Sequence, residues 1–438
     1  MPAVTINGHH VDVPAGGSLF EAAGQAGVRV PTSCVAQGKC KECIVEVTRG
    51  MQLLAPPTVH ERHLAGAFRL SCQCRLVAES GAIECHTMRR GHMRIERQAL
   101  NLPAARTPMA LDPAIVRDGG RIVDRVSGRI VEESNGPIHG LAMDLGTTTV
   151  VVRLINLETG ELVADASFEN PQRFGGSDVM SRIHYDTVHK GKLLRRTLAA
   201  YLTHAIEEFP VDPRTIYEVV VVGNSTMRDI FFRQNVYSIG QTPYRSITEI
   251  DLAEGRRTTT SLTETGRRCL LPIHPEARVY GLPIISGHVG ADAAACMLGV
   301  GLAEEDRLVA IMDIGTNTEL ILGNKERILA ASCPAGPAFE GGAIACGMPG
   351  LDGAVEDVRV SDAGEFTLGV IGGGSPEGIC GSGLVDLMSE LLRTGRMNDM
   401  GRFEDGVSRF TLDEAHGVYF LESDVNELAQ AKGANVAG

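Results

Sequence analysis

Four cysteines near the N-terminus have the spacing of a metal-binding loop. Cys34, Cys40 and Cys43 follow one another as C-x5-C-x2-C among small residues, and Cys72 comes after 28 intervening residues. Thiolates are soft anionic ligands, and two irons bridged by two sulfides need four of them. Three ligands from one loop and a fourth from a distant segment therefore predict a 2Fe-2S cluster.

Two alternatives accompany this prediction. A structural zinc site is usually built from two CxxC pairs, and this segment contains one. Cys74 competes with Cys72 for the fourth position, and the segment RLSCQ favours Cys72. A cysteine that stands alone is usually a small buried hydrophobe. That interpretation applies to the seven others, which are Cys74, Cys85, Cys269, Cys296, Cys333, Cys346 and Cys380.

Two similar turns further along the chain have the residue types that bind phosphate. The segments are LAMDLGTTTVVV, which contains Asp144, and LVAIMDIGTNTELIL, which contains Asp313. Glycine lets the backbone turn closely around a phosphate, and threonine hydroxyls and amides donate hydrogen bonds to its oxygens. An aspartate at the end of a strand can hold hydrated Mg²⁺ beside those oxygens. The repeat of one device suggests two similar lobes.

Short elements must position the cysteines. Residues 4–15 have the pattern of two short strands joined by a turn, and a helix is expected from Ser18 to Gly27 with Ser18 as its cap and Glu21 completing a capping box. A hairpin, a helix and then a cysteine loop resemble the plant-type and adrenodoxin-type ferredoxins, and the x5 spacing favours the latter. The resemblance implies an α+β ferredoxin-like (β-grasp) domain over residues 1–87.

Residues 88–137 lose clear periodicity and are expected to form a linker containing one small hairpin. The remainder, residues 138–438, resembles the superfamily of actin, sugar and acetate kinases and heat-shock chaperones. That resemblance implies a two-lobed α/β actin-like ATPase domain. Its first lobe would cover about 138–300, and its second lobe about 301–438.

The same resemblance implies which residues bind ATP and Mg²⁺. The first phosphate loop would be Asp144, Gly146, Thr147 and Thr148, and the second Asp313, Gly315, Thr316 and Asn317, with the two aspartates as the catalytic residues. Gly381 and Gly383, in GGGSPEGICGSGLVDLMSELL, would lie against the adenosine at a helix N-terminus. Glu319 and Glu340 are candidate general bases, although a structural role is the more frequent one for such residues.

Composition excludes other classes of function. The net charge of -13 argues against a nucleic-acid-binding surface, and the basic stretch at 89–97 is short and interrupted. The sequence has no apolar run of membrane-spanning length and no basic-then-apolar leader. We therefore expect a cytoplasmic protein without a membrane or nucleic-acid partner.

Six segments together resemble the reductive activators of corrinoid proteins. They are NPQRFGGSDVMSRIHY, VVVGNSTMRDIFF, ISGHVGADAAACMLG, DIGTNTELIL, AGPAFEGGAIACGMPG and GICGSGLVDLM. The resemblance implies an iron–sulfur ATPase that serves a methyltransferase system. An external low-potential donor would load the cluster, and an electron would pass with the help of ATP to the Co(II) of a corrinoid protein, restoring Co(I).

Other functions are compatible with parts of this pattern. They are ATP-coupled activation of another metalloenzyme, such as a radical dehydratase, or a kinase or chaperone-like ATPase with an accessory iron–sulfur domain. Activators of radical dehydratases lack a ferredoxin domain, so the four cysteines argue against that alternative. Members of the corrinoid family continue past LAQAKGANVAG, which implies that the second lobe of this chain is C-terminally incomplete.

Overall fold

The computed structural model describes residues 1–89, 111–361, 363–404 and 406–438. Most of the basic stretch that follows Arg89 lies outside these ranges. The described residues divide into two compact units, the first ending at Asp292 and the second beginning at Ala293. Within the described part of the chain, no helix is both long and apolar enough to cross a membrane.

The N-terminal domain is a five-stranded sheet with one helix. Its elements are β1 (Ala3–Ile6), β2 (His9–Asp12), α1 (Leu19–Gln25), β3 (Ile44–Arg49), β4 (Phe68–Leu70) and β5 (Ala82–Thr87). The strand order is β2-β1-β5-β3-β4, with β1 parallel to β5 and the other pairs antiparallel. The Ser18 side chain accepts from the amide of Glu21, whose carboxylate accepts from the amide of Ser18. The predicted capping box is therefore present.

The segment expected to be a linker contains a small folded sheet. Strands β6 (Ile115–Asp118), β7 (Arg121–Asp124) and β8 (Arg129–Glu133) pair antiparallel in that order. Ile115 and Ile122 pack in a buried cluster with Ile138 and Tyr217. This sheet is therefore anchored to the first lobe through its own small core.

The first lobe is built on a six-stranded mixed sheet. In chain order its elements are β9 (His139–Leu145), β10 (Thr149–Asn156), β11 (Leu162–Glu169), α2 (Val179–Val188), α3 (Leu193–Glu207), β12 (Ile216–Gly223), α4 (Ser225–Phe231), α5 (Ile247–Ala253), β13 (Leu262–Thr265), α6 (Gly266–Cys269) and β14 (Arg278–Gly281). The strand order is β11-β10-β9-β12-β14-β13. Strands β9, β12 and β14 run parallel, and the other neighbours are antiparallel.

The N-terminal domain and the first lobe share one hydrophobic core. Buried side chains of both belong to a single continuous cluster. The hydroxyl of Tyr201, in α3, accepts from the amide of Met88 at 3.0 Å, and both residues are almost fully buried. The ferredoxin-like domain is thus joined to the lobe by packing as well as by the chain.

The described residues of the second unit form three small sheets. Its elements begin with α7 (Ala291–Val300), which crosses the boundary, followed by β15 (Val309–Ile314), β16 (Thr318–Gly323), β17 (Ile328–Cys333), β18 (Ala354–Val360), β19 (Phe366–Val370), β20 (Gly378–Ile379), α8 (Gly381–Arg393), β21 (Arg409–Asp413), β22 (Val418–Leu421) and α9 (Glu422–Ala437). The sheets are β15-β16-β17, β19-β18-β20 and β21-β22. Leu384, Leu387 and Leu391 form the fully buried stripe of α8 that the sequence predicts.

A buried ion pair holds β4 in place just before Cys72. Arg69 Nε lies 2.8 Å from Glu61 Oε1, and the two side chains are 4% and 1% exposed. The same carboxylate accepts from the amides of Thr58 and Leu70. Burial alone would raise the pKa of Glu61, but the hydrogen bonds from Arg69 and the two amides lower it below its ordinary value.

We expect Glu61→Gln to lower the free energy of unfolding by about 3 kcal/mol, because Arg69 is left buried without its counter-charge. Denaturant titration followed by circular dichroism measures this change. The matched control is Glu207→Gln, which removes an exposed ion pair with Arg29 and should change stability by less than about 1 kcal/mol. Equal effects of the two substitutions would contradict this account of β4.

The pair also predicts a pH dependence. The folded-state pKa of Glu61 lies below the unfolded value, so its contribution to stability is complete above a pH of about 4.3. That contribution disappears as the pH falls through the lower folded-state pKa. The difference in stability between the unchanged protein and Glu61→Gln should therefore narrow on acidification.

Candidate functional site

The cysteine loop between α1 and β3 has an unusual backbone. Four of its residues adopt left-handed conformations, and they are Val35, Ala36, Gly38 and Lys41. Positive φ is uncommon for residues other than glycine, and each such residue carries strain of about 1 kcal/mol or more. The thiol of Cys34 accepts from the amides of Gln37, Lys39 and Cys40. The loop therefore turns its N–H groups toward sulfur.

The four predicted ligands come together as two pairs. Cys34 is hydrogen-bonded to Cys40 through its side chain, and Cys43 to Cys72. Cys40, Cys43 and Cys72 are buried, and Cys34 is half-buried. Across the described ranges, no group of three or more His, Cys, Asp or Glu residues is arranged to hold a single metal ion. Two thiol pairs suit two irons, each of which takes two cysteines, and the residues present therefore fit a 2Fe-2S cluster.

Hydrogen bonds around Cys72 favour its thiolate. The side-chain hydrogen bond with Cys43 is the largest cause, and donors from Gln73 and the Gly38 amide add to it, so the pKa of Cys72 falls to about 6. The same contact with Cys72, together with burial, raises the pKa of Cys43. The pair therefore favours a state in which Cys43 is a protonated thiol and Cys72 is a thiolate.

Cys74, the competitor for the fourth position, lies in the core of the domain. It is fully buried, as is Cys85. Burial raises the pKa of Cys74 and raises that of Cys85 to about 12. A neutral thiol in an apolar core is an inert small hydrophobe. Cys72 accordingly stays the predicted fourth ligand.

Gln73 is a functional candidate that no sequence motif singles out. Its Nε2 donates to Cys72 Sγ at 3.4 Å. A Cβ built on Gly38 would lie 2.8 Å from that Nε2, and Gly38 has a φ of +76°. Gly38 therefore suits this position for its backbone conformation, and a side chain added there would force the Gln73 amide to move.

The first predicted phosphate loop connects β9 to β10. A Cβ on Gly146 would lie 2.6 Å from the carbonyl oxygen of Thr149, so no larger residue fits this turn. Thr147 is buried, and its hydroxyl accepts from Asn224 Nδ2 at 2.9 Å. Asp144 stands exposed near the carboxyl end of β9. The loop thus has the tight turn and the exposed carboxylate that a phosphate-bound cation requires.

Asn170 holds the first phosphate loop from its other side. Its Nδ2 donates to the carbonyl oxygen of Gly146 at 2.7 Å, and its amide donates to that of Thr148 at 2.6 Å. Asn170 is 1% exposed. It belongs to the NPQRFGG segment, whose sequence alone assigns it no role.

A second group of residues lies beside this loop at the end of β12. A Cβ on Gly223 would lie 2.5 Å from the carbonyl oxygen of Leu145, and one on Gly290 would lie 2.5 Å from Asn224 Cα and 2.7 Å from Asp292 Oδ1. Strands β9 and β12 are parallel neighbours, so their carboxyl ends meet at one sheet edge, which is where ligands bind in open α/β sheets. Gly223 and Asn224, at the end of an apolar strand, are the sequence feature from which this second group could have been predicted.

The second predicted phosphate loop lies in the second unit. Leu145 pairs with Val150 around four loop residues, whereas Ile314 pairs with Thr318 around three. The two loops are therefore related but not identical. Burial raises the pKa of Asp313, and a long contact of 3.9 Å from Cys296 Sγ opposes that rise.

The two candidate general bases lie near this second loop. Glu340 accepts from the hydroxyl of Thr316, and Glu319 accepts from that of Ser332 at 3.0 Å. Glu319 is paired directly opposite Asp313 in the β15–β16 ladder. Both carboxylates are thus engaged in holding neighbouring polar groups.

The glycines predicted to lie near adenosine pack tightly against backbone. A Cβ on Gly381 would lie 1.8 Å from the carbonyl oxygen of Phe339, and one on Gly383 would lie 2.2 Å from that of Val355. Helix α8 can therefore begin here only with glycine at both positions. Contact of these residues with a nucleotide stays a prediction.

We expect Gly38→Ala to impair cluster binding, because the new methyl group displaces Gln73 from Cys72. The visible absorbance of the reconstituted protein per mole of chain measures this. The matched control is Gly27→Ala, since Gly27 also has positive φ but a Cβ added there would have no neighbour within 4 Å. The control should lose only about 1 kcal/mol of stability and keep its cluster, whereas equal cluster loss in both would point to backbone strain alone.

Three family models match successive parts of the chain. They are the 2Fe-2S iron–sulfur cluster binding domain at residues 4–77, the RACo middle region at residues 139–305, and the C-terminal domain of RACo, the ASKHA domain, at residues 307–438. The N-terminal match supports a 2Fe-2S cluster, and the C-terminal match supports ATP binding.

Two curated relatives have names that refer to corrinoid proteins. The chain is 33% identical over 332 residues to the corrinoid activation enzyme RamQ of Eubacterium limosum, covering 73% of this chain and 53% of that protein. It is 23% identical over 322 residues to the [Co(II) methylated amine-specific corrinoid protein] reductase of Methanosarcina barkeri, covering 68% and 58%. The chain thus spans about half the length of these curated relatives.

The fold has a solved counterpart. A reductive activator for corrinoid, iron–sulfur protein superposes with a TM-score of 0.63 and 25% identity, over 99% of this chain and 82% of that one. Sequence, domain order and fold agree. In each of these respects the chain is similar to the reductive activators of corrinoid proteins.

Proposed function

We propose that this chain is an ATP-dependent reductive activator that delivers one electron to the Co(II) of a corrinoid protein and so restores Co(I) for methyl transfer. The observation that supports this most directly is that the two thiol pairs and the first predicted phosphate loop belong to one folded unit. The names of the relatives point to the same substrate.

The thiol loop would receive and hold the electron. A 2Fe-2S cluster, when bound by Cys34, Cys40, Cys43 and Cys72, supplies one-electron chemistry at low potential. The N–H donors around these sulfurs stabilise negative charge, and so does the Gln73 amide. An external low-potential donor would supply the electron, which leaves for Co(II) without any bond being made or broken in this chain.

The nucleotide would supply the free energy for an uphill transfer. A gap of ~100 mV between donor and acceptor corresponds to about 2.3 kcal/mol for one electron. Binding of ATP, or its hydrolysis by water to ADP and phosphate, can supply this free energy if it changes the conformation of the complex. The chain would therefore couple nucleotide binding to electron transfer into the docked corrinoid protein.

Each predicted nucleotide residue has a role in this scheme. Asp144 and Asp313 would hold hydrated Mg²⁺ beside the phosphates. The phosphate oxygens would be bound by the loop residues Gly146, Thr147, Thr148, Gly315, Thr316 and Asn317. Gly381 and Gly383 would let the start of α8 approach the adenosine closely.

An anaerobic assay tests the proposal. The reduced protein is mixed with a Co(II) corrinoid protein, and Co(I) absorbance is followed with and without Mg-ATP. We expect Mg-ATP to raise the yield of Co(I) at least tenfold, a difference of about 1.4 kcal/mol. An equal yield without nucleotide would reject ATP coupling, and continued Co(I) formation in Cys40→Ser would reject the cluster as the source of the electron.

A pair of substitutions tests the ligand set itself. We expect Cys72→Ser to abolish the normal cluster signal, because a serine hydroxyl replaces a soft thiolate. Cys74→Ser should retain the signal and lose only stability, since Cys74 lies in the core. Electron paramagnetic resonance of the reduced proteins measures both. The reverse result would assign the fourth position to Cys74.

A further inference from the structure

Arginine–glutamate ion pairs join the ferredoxin-like domain to the first lobe, and they differ in burial. Arg29 pairs with Glu207 with side chains 54% and 38% exposed. Arg173 pairs with Glu46 at 2.5 Å with side chains only 14% and 17% exposed. Exposed pairs contribute little, whereas a partly buried pair with good geometry holds its partners in one arrangement. Of these two ion pairs, Arg173–Glu46 is therefore the one that fixes the position of the ferredoxin-like domain on the first lobe.

Arg173 contacts the two strands that lie next to Cys43 and Cys72 in the chain. Its partner Glu46 lies in β3, which begins directly after Cys43. Its guanidinium also lies over the ring of Phe68, in β4, at 5.5 Å from the centroid, and β4 leads to Cys72. Glu46 and Phe68 are themselves paired across the two strands. One side chain thus touches the two strands that position one thiol pair.

The same arginine is connected to the first phosphate loop. Arg173 belongs to a single helical turn, Pro171–Gly175, whose N-cap is Asn170. The side-chain oxygen of Asn170 accepts from the amide of Gln172 at 2.9 Å, while its Nδ2 donates to the Gly146 carbonyl. A displacement of the phosphate loop would therefore move the capped turn, and Arg173 with it.

We propose that Arg173 is a positioning residue through which nucleotide binding at the first phosphate loop alters the environment of the cluster. The path runs from Gly146 through Asn170 and the capped turn to Arg173, and from there to β3 and β4. The steps are hydrogen bonds, an ion pair and a ring contact between buried or half-buried groups, together with the short helical turn that joins Asn170 to Arg173. Packed groups of this kind move together rather than deform independently. This inference rests on the proposed function, because it assumes that the loop binds nucleotide and that the thiols bind the cluster.

The test is the redox equilibrium of the cluster in the full chain. Reduced and oxidised fractions are measured by electron paramagnetic resonance at a fixed applied potential, with and without Mg-ATP or a non-hydrolysable ATP analogue. We expect the nucleotide to change their ratio at least twofold in the unchanged protein, which is about 18 mV at 59 mV per tenfold change for one electron. Arg173→Gln should abolish that change.

Two further variants keep the result interpretable. Arg29→Gln is the matched control, because it removes an arginine from the same junction but lies outside the path, and it should retain the nucleotide effect. Asn170→Ser tests the other end of the path. Serine can still cap the turn but is too short to reach the Gly146 carbonyl, so the effect should be lost even if Arg173→Gln fails to fold.

The outcomes separate this inference from the proposed function. A nucleotide effect that survives in Arg173→Gln or Asn170→Ser, or that is absent from the unchanged protein, overturns it. Loss of the effect in Arg29→Gln as well also overturns it, since the whole junction would then be responsible. A nucleotide effect that requires Arg173, in a protein that does not reduce a corrinoid protein, leaves the inference in place and rejects the function.

Discussion

The shared hydrophobic core of the ferredoxin-like domain and the first lobe is the constraint on which the remaining arrangement depends. Apolar burial is non-directional and proportional to area, so it brings the two parts together without specifying their orientation. Directional contacts supply that orientation, from the buried Tyr201 hydroxyl that accepts the Met88 amide to the Arg173–Glu46 pair. The thiol pairs and the first phosphate loop consequently belong to one folded unit.

The cysteine loop stores strain that a bound cluster would offset. Three of its residues with positive φ are not glycine, and they are Val35, Ala36 and Lys41. Such conformations persist only where surrounding contacts over-determine them, and they concentrate at functional sites. Here the conformation turns amides toward sulfur, which is the arrangement an anionic iron–sulfur centre needs. Binding of an anionic cluster would therefore explain both the backbone strain and the orientation of the amides in this loop.

The two predicted phosphate loops share a sequence motif but not an environment. The first is held by amide side chains, Asn170 and Asn224. The second is bordered by carboxylates, with Glu340 accepting from Thr316 and Glu319 opposite Asp313. Amides and carboxylates place different local charge beside a phosphate. Internal repetition in the sequence therefore predicted a common turn, although its neighbours come from unrelated segments.

The local chemistry of the sites could be predicted from neighbouring residues in the chain. The cysteine spacing, the capping box at Ser18 and the Asp-x-Gly-Thr turns depend on residues close together in the chain, where geometry follows from a few backbone angles. The leucine stripe of α8 was equally predictable from its periodicity. The sheet formed by β6, β7 and β8 was predicted only as a hairpin, because its stability depends on a small core completed by Ile138 and Tyr217.

Contacts between residues that are far apart in the chain could be identified only from the folded structure. Gln73 against Gly38, Asn224 at Thr147 and Arg173 at Glu46 are contacts between segments far apart in the chain, which no local pattern specifies. The parallel pairing of β9 with β12 brings two loops to one sheet edge, and the common core brings Arg173 to the ferredoxin strands. Long-range pairing depends on the total surface that the whole chain can bury, and a motif of ten residues does not contain that information.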